Sequence, residues 1–124
     1  MFPLLADQGV GSIPWSPLAK GRLTRPWGTS TQRFDNDPVG ERMFPHDDQT
    51  IVAAVQSIAE NRGIPMAQVA LAWVLRNPVV TAPIVGATRA HHLEDAVAAL
   101  NVKLSDDEIT RLESGYTPRR PQGF

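Results

Sequence analysis

Only two short segments of this 124-residue chain read as β-strands, and everything else about its fold has to be built around that shortage. The run Val79-Val80-Thr81-Ala82-Pro83-Ile84-Val85 is nearly all apolar, rich in β-branched residues and bounded by Pro78 and Gly86. That is the pattern of a strand buried on both faces. The earlier run, Val10-Gly11-Ser12-Ile13-Pro14-Trp15-Ser16-Pro17, is shorter in effect, because Pro14 and Pro17 have no N–H to give a ladder. Helical patterns lie between the two runs, so the chain predicts parallel βα units. Two parallel strands do not make a stable sheet by themselves. Something beyond them must complete it, from another part of a longer chain or from another copy.

The helical patterns are clear. Met1 to Gln8 reads as the end of a helix stopped by Gly9 in the left-handed cap position, an abrupt start that suggests upstream sequence. Ile51, Val52, Val55, Ile58 and Ala59 fall on one face of a second helix, which Asp47-Asp48 caps and Gly63 ends. Pro65 opens a third helix from its first turn, with a core stripe of Met66, Val69, Ala70, Trp73 and Val74. A fourth runs from a Thr88 cap to about Leu100. A fifth starts at the capping box Ser105-Asp106-Asp107-Glu108, with Leu104 and Ile109 as its hydrophobic staple, and ends at Gly115. From Leu18 to Asp47 no period is visible. An aperiodic stretch of about 30 residues is long for a compact domain and points to a functional loop. The chain therefore divides into a first strand and its loop (8–22), a loop (23–47), a helical pair (48–77), a second strand and helix (79–100), a terminal helix (104–115) and a tail (116–124).

Composition excludes several kinds of function. Twelve basic residues against thirteen acidic ones give no general electrostatic case for nucleic acid. No window approaches the roughly 20 apolar residues of a membrane span. Cysteine is absent, which removes thiolate chemistry and disulfides and fits a cytoplasmic location. His91-His92 suggests a metal only superficially, since adjacent helical side chains point about 100° apart. Taken alone, Trp15 reads as core, Gly86 as a tight turn and Arg89 as a solvated residue at a helix start. Pro118-Arg119-Arg120-Pro121 has polyproline character, though a terminal tail is the plainer reading.

Three motifs change those readings. Ile13-Pro14-Trp15-Ser16-Pro17-Leu18-Ala19-Lys20-Gly21, Pro83-Ile84-Val85-Gly86-Ala87-Thr88-Arg89 and Tyr116-Thr117-Pro118-Arg119 together resemble the C-terminal part of the aldo-keto reductases. The Trp-Ser-Pro-Leu run looks like the bacterial branch of that family. The resemblance spans nearly the whole chain. It implies an α/β fold that is the C-terminal portion of a TIM-type (β/α)8 barrel, with two short parallel strands and four to five helices. It also implies NADPH-dependent reduction of an aldehyde or ketone, or the reverse oxidation. By the same likeness Trp15 would stack on the nicotinamide, and Ser16 and Leu18 would lie beside the pyrophosphate. Gly86, Ala87, Thr88 and Arg89, with His92 and Asp95 on the next helix, would form the adenosine 2′-phosphate site. Phosphate sites of such barrels follow strands seven and eight, at helix N-termini.

Two departures bear on the cofactor. His92 stands where the family commonly has arginine, and Ala96 where it has asparagine. Histidine is a conditional cation, and alanine offers adenine no hydrogen bond. The cofactor expected is NADP, with NAD as a second candidate, held weakly by the chain alone. The family's catalytic Asp, Tyr, Lys and His belong to early barrel strands. Among these residues no catalytic group is expected: Tyr116 lies in the tail, and Lys20 is the only lysine beside a strand. Such a barrel takes about 250 residues. The chain alone is therefore expected to be inactive, and a non-catalytic, self-associating half-barrel module is the alternative. Its apolar strand edges and helix faces predict a homo-oligomer, or assembly with the missing half.

Overall fold

The computed structural model describes residues 1–29 and 48–118. Asp47, most of the 23–47 loop and the end of the tail lie outside the described residues.

Five α-helices are present among the described residues: α1 (Phe2–Asp7), α2 (Gln49–Arg62), α3 (Met66–Leu75), α4 (Ala90–Ala98) and α5 (Asp106–Glu113). Short 3₁₀ segments cover Ala19–Thr24 and Ala99–Asn101. Helices α1 and α2 end alike. Gly9 (φ +62°) and Gly63 (φ +65°) turn left-handed. Val10 N–H then bonds the Leu5 carbonyl at 2.9 Å and Ile64 N–H the Ala59 carbonyl at 3.0 Å, the closing bonds of Schellman caps. Ser105 caps α5 in a complete capping box with Glu108.

Other starts differ from the sequence reading. Pro65 is the N-cap of α3 rather than its first residue, in an extended conformation (φ −58°, ψ 143°). Arg89, not Thr88, is the N-cap of α4, and it makes no side-chain cap bond. Asp48 likewise caps α2 without a side-chain bond to the helix.

The core is helix against helix. Val52, Val55, Ile58 and Ala59 of α2 meet Met66 and Val69 of α3 and Leu112 of α5. Ala70, Leu71 and Ala72 of α3 are buried as well, and α4 and the Ala99–Asn101 turn also pack against α3. Trp73 departs from its predicted core role. It is 39% exposed, its indole N–H donates to Glu113 of α5 at 3.0 Å, and the Arg76 guanidinium lies 5.8 Å from its ring. An indole carries a donor that needs a partner, and the nearest acceptor sits at the edge of the core.

The two strand-like segments lie side by side and parallel, but as isolated bridges, Ser12 with Val80 and Trp15 with Ile84, not as regular strands. The reason can be read bond by bond. Ser12 N–H donates to the Val79 carbonyl at 2.7 Å and Thr81 N–H to the Ser12 carbonyl at 2.8 Å. A parallel ladder would continue with donors at positions 14 and 83. Both are proline. The second segment instead takes up one extra residue, and Ile84 N–H reaches the Pro14 carbonyl at 2.9 Å. At the other end the Thr81 side chain lies against Gly11, so a Cβ there would collide with Thr81 Oγ1. No helix among the described residues is long and apolar enough to cross a membrane.

Candidate functional site

The Trp15–Ile84 bridge decides where the candidate residues fall. Because the pairing is parallel, the chain leaves both segments at the same end. Ser16 to Gly21 therefore emerges beside Val85 to Arg89, and α4 starts immediately afterwards. Both groups of expected cofactor residues lie at this one end.

The first group is a tight, strained turn. Ser16 (φ +51°), Ala19 (φ +48°) and Lys20 (φ +55°) are left-handed without being glycine, and Gly21 follows at φ +91°. Such conformations cost energy and cluster where a loop has a task beyond folding. Ala19 N–H closes on the Ser16 carbonyl at 2.9 Å and Gly21 N–H on the Leu18 carbonyl at 2.8 Å. Thr24 Oγ1 also donates to the Gly21 carbonyl at 2.8 Å. Trp15 is 61% exposed, with the Lys20 ammonium 6.0 Å from the centre of its ring. A core role for Trp15 does not fit these described surroundings; a ring open for stacking does. Leu18 precedes the 3₁₀ segment and is half-buried.

The second group is open. Gly86, Ala87, Thr88 and Arg89 are all exposed, and nothing lies within 4 Å of where a Gly86 side chain would start. His92 is turned back onto the loop: Thr88 N–H points at its Nδ1 at 3.4 Å, and Thr88 Oγ1 lies 3.5 Å from the same nitrogen. Accepting there requires the imidazole to be neutral at Nδ1. The His91 ring meets it edge-on at 4.4 Å. Asp95 is half-buried and accepts from Gln68 of α3 at 2.8 Å, so its carboxylate is already engaged in holding α4 to α3. The residues present thus fit a dinucleotide in an exposed aromatic face and an exposed arginine, and fit it less well at His92 and Asp95.

The strain at Ser16, Ala19 and Lys20 and the paired prolines were not visible in the sequence as features of the site. A groove of about 390 Å³ lies elsewhere, among Leu75, Arg76, Leu100, Lys103, Leu104 and Ile109. Its lining includes none of the loop residues just described.

Comparison with known proteins agrees with the fold. Residues 1–116 match the Aldo/keto reductase family, and the chain belongs to it. It is 40% identical over 124 residues to versiconal hemiacetal acetate reductase of Aspergillus parasiticus, covering 96% of this chain and 36% of that protein. It is 46% identical to an aldo-keto reductase of Fusarium vanettenii (94% and 32%), and 34% identical to a putative aryl-alcohol dehydrogenase of Saccharomyces cerevisiae (97% and 36%). These are fungal proteins, where the Trp-Ser-Pro-Leu run looked bacterial. The crystal structure of a thermostable aldo-keto reductase bound to the inhibitor epalrestat superposes with a TM-score of 0.65 at 24% identity, over 93% of this chain and 33% of that one. The chain spans about a third of the length of the relatives it matches.

Proposed function

We propose that this chain forms the dinucleotide-binding end of an NADP-dependent carbonyl reductase or alcohol dehydrogenase, and that taken alone it holds cofactor weakly and turns nothing over. The observation that carries this reading is the parallel Trp15–Ile84 bridge, which delivers the 16–21 turn and the 85–89 loop to the same end. In this reading Trp15 offers its exposed face to the nicotinamide. Ser16 and Leu18 line the pyrophosphate, and Gly86, Ala87, Thr88 and Arg89 with His92 and Asp95 receive the adenosine phosphate. Arg89 carries the permanent charge there. A bound nicotinamide would supply or accept a hydride. The names of the relatives, a hemiacetal acetate reductase and an aryl-alcohol dehydrogenase, support carbonyl–alcohol interconversion as the reaction class.

The proton-donating tyrosine of this chemistry has no candidate among these residues, since Tyr116 is exposed behind α5. NADPH consumption with a panel of aldehydes tests the reading. Binding of NADPH without turnover agrees with it; turnover by pure chain overturns the inactivity, and no binding at millimolar cofactor overturns the site.

A second reading is favoured by one observation. Ile13, Trp15 and Ile84 on the bridged segments, Leu93 and Val97 on α4 and Leu100 in the 3₁₀ segment after it are all exposed. Apolar surface of that kind is uncommon on a soluble monomer, so a self-associating module remains the alternative. Light scattering at micromolar concentration separates the two: a monodisperse monomer of 13.6 kDa removes the second reading.

A further inference from the structure

One side of α4 is apolar and open. Leu93 and Val97 on the helix and Leu100 in the 3₁₀ segment after it are each more than half exposed. At about 3.6 residues per turn they fall on one stripe, and Asp95, which Gln68 of α3 holds, lies about 200° round the helix from Leu93. The stripe therefore faces away from α3. It runs into the groove of about 390 Å³, since Leu100 belongs to both, and Leu75, Leu104 and Ile109 line the groove beside it. Two charges flank this surface. Glu94 and Lys103 are exposed, and neither side chain has a hydrogen-bonding or ionic partner among the described residues. The order of these residues carries a symmetry. Leu93-Glu94-Asp95-Ala96-Val97-Ala98 is followed by Ala99-Leu100-Asn101-Val102-Lys103-Leu104. Counted outwards from the Ala98–Ala99 bond, alanine matches alanine, Val97 matches Leu100, Glu94 matches Lys103 with the sign reversed, and Leu93 matches Leu104. Asp95 with Val102 and Ala96 with Asn101 are the two pairs that do not match.

We propose that α4 and the segment after it form a two-fold interface with a second copy of this chain. A two-fold axis across the Ala98–Ala99 bond runs the two copies antiparallel and sets residue i of one opposite residue j of the other, and j opposite i. In that arrangement Leu93 enters the groove beside the partner's Leu104, Val97 packs on the partner's Leu100, and Glu94 reaches the partner's Lys103. Each contact is made twice. The apolar contacts supply the affinity, and the charge pairs fix the register. A second copy suits this surface better than a purely acidic or purely basic partner, because it offers one charge of each sign at matching distances from its centre. The inference rests on the self-associating reading and gives that reading a surface.

The test is sedimentation velocity of the whole chain at micromolar concentration. The parent chain is expected to dimerise. V97E, which puts a charge at the centre of an exposed stripe, is expected to sediment as a monomer with an unchanged far-ultraviolet circular dichroism spectrum. E94K and K103E are each expected to raise the dimer dissociation constant at least about tenfold, because each sets like charges together at two symmetric positions. The double variant E94K/K103E restores opposite charges and is expected to return to within about threefold of the parent. Burial of apolar surface alone would not give that rescue. A double variant as weak as the single ones overturns the interface. So does a dimer that survives V97E; if I13K then dissociates it, self-association runs through the bridged segments and only the surface proposed here fails. A parent chain that stays monomeric overturns the interface and the self-associating reading together.

Discussion

The most informative single substitution for the stability of this fold is Glu108→Gln. Glu108 does two jobs at the start of α5. Its carboxylate accepts from the Arg62 Nε and Nη2 at 2.6 and 2.7 Å, tying the end of α2 to α5, and it also accepts from Ser105 N–H at 2.7 Å to complete the capping box. Arg62 in turn donates to the Lys103 carbonyl at 2.9 Å. The Arg62 hydrogen bonds above all hold the Glu108 pKa down, from 4.5 to about 2, while Glu108 raises that of Arg62. Unscreened, that difference would correspond to roughly 3.4 kcal/mol in favour of the folded state. The pair is not sealed, since the Arg62 and Glu108 side chains are 32% and 16% exposed. Screening brings the expected contribution to about 1–1.5 kcal/mol.

The sign follows from the direction of the shift. A carboxylate with a lowered folded-state pKa stabilises fully above its unfolded value of 4.5, and that stabilisation fades as the pH falls towards 2. Glutamine can still accept from Ser105 N–H, so the substitution removes the charge and spares much of the cap. Urea denaturation at pH 7 should show E108Q less stable than the parent by about 1–1.5 kcal/mol, with the gap closing to within error near pH 2. A gap of the same size at pH 7 and pH 2 would mean that the side chain acts through packing or capping alone, and the reasoning would fail.

Other substitutions probe the core and the bridged pair. Ile58→Ala removes a side chain that is 1% exposed between α2 and its neighbours, and should cost about 3 kcal/mol in the same denaturation experiment. Gly11→Ala drives a methyl group into Thr81 and should cost about 1–2 kcal/mol by overpacking. Adding Thr81→Ala should recover part of that loss, because the nearest atom is the threonine hydroxyl. Trp73→Phe keeps the ring but drops the hydrogen bond to Glu113; at an exposed site the loss should be no more than about 1 kcal/mol, seen as a small shift in the urea midpoint.

How much of this was legible in the sequence depended on the range of the interaction. The α2 face of Val52, Val55, Ile58 and Ala59, the Gly9 and Gly63 stops and the Ser105–Glu108 box all appear where local pattern places them. Each is fixed by residues one or two helical turns apart in the sequence. Trp73 was misread because its helical phase said core, while the fate of its indole N–H depended on Glu113, forty residues away. Asp95 likewise has a partner that local pattern could not name. On α4 it occupies the position where the family resemblance expects a cofactor contact, and only the packing of α4 against α3 brings Gln68 to it. The Thr88 cap failed locally: its hydroxyl lies by the His92 ring, and the extended residue that starts the helix is Arg89.

The two bridged segments show the limit most clearly, and they also fix the site. Either proline alone is compatible with a strand, at an end or an edge. In the register set by Ser12 and Val80, Pro14 and Pro83 remove two successive ladder bonds, one from each segment, and neither segment reveals that by itself. The extra residue between Val80 and Ile84 then changes what pairs with Trp15. Without the slip Trp15 would stand opposite Pro83, and Gly86 would leave the pair one residue, about 3.3 Å, further along. A single-residue change of register also reverses which face each side chain takes. The slip therefore sets how far the 85–89 loop projects beside the 16–21 turn, and with it, in the proposed reading, the span a dinucleotide must bridge between Trp15 and Arg89. Restoring a donor at position 14 should press the segments back towards the unslipped register. In the proposed reading, Pro14→Ala would weaken dinucleotide binding while leaving the helical core, and its urea midpoint, nearly unchanged. A variant that bound NADPH as well as the parent would show that the register of this pair does not determine the geometry of the site.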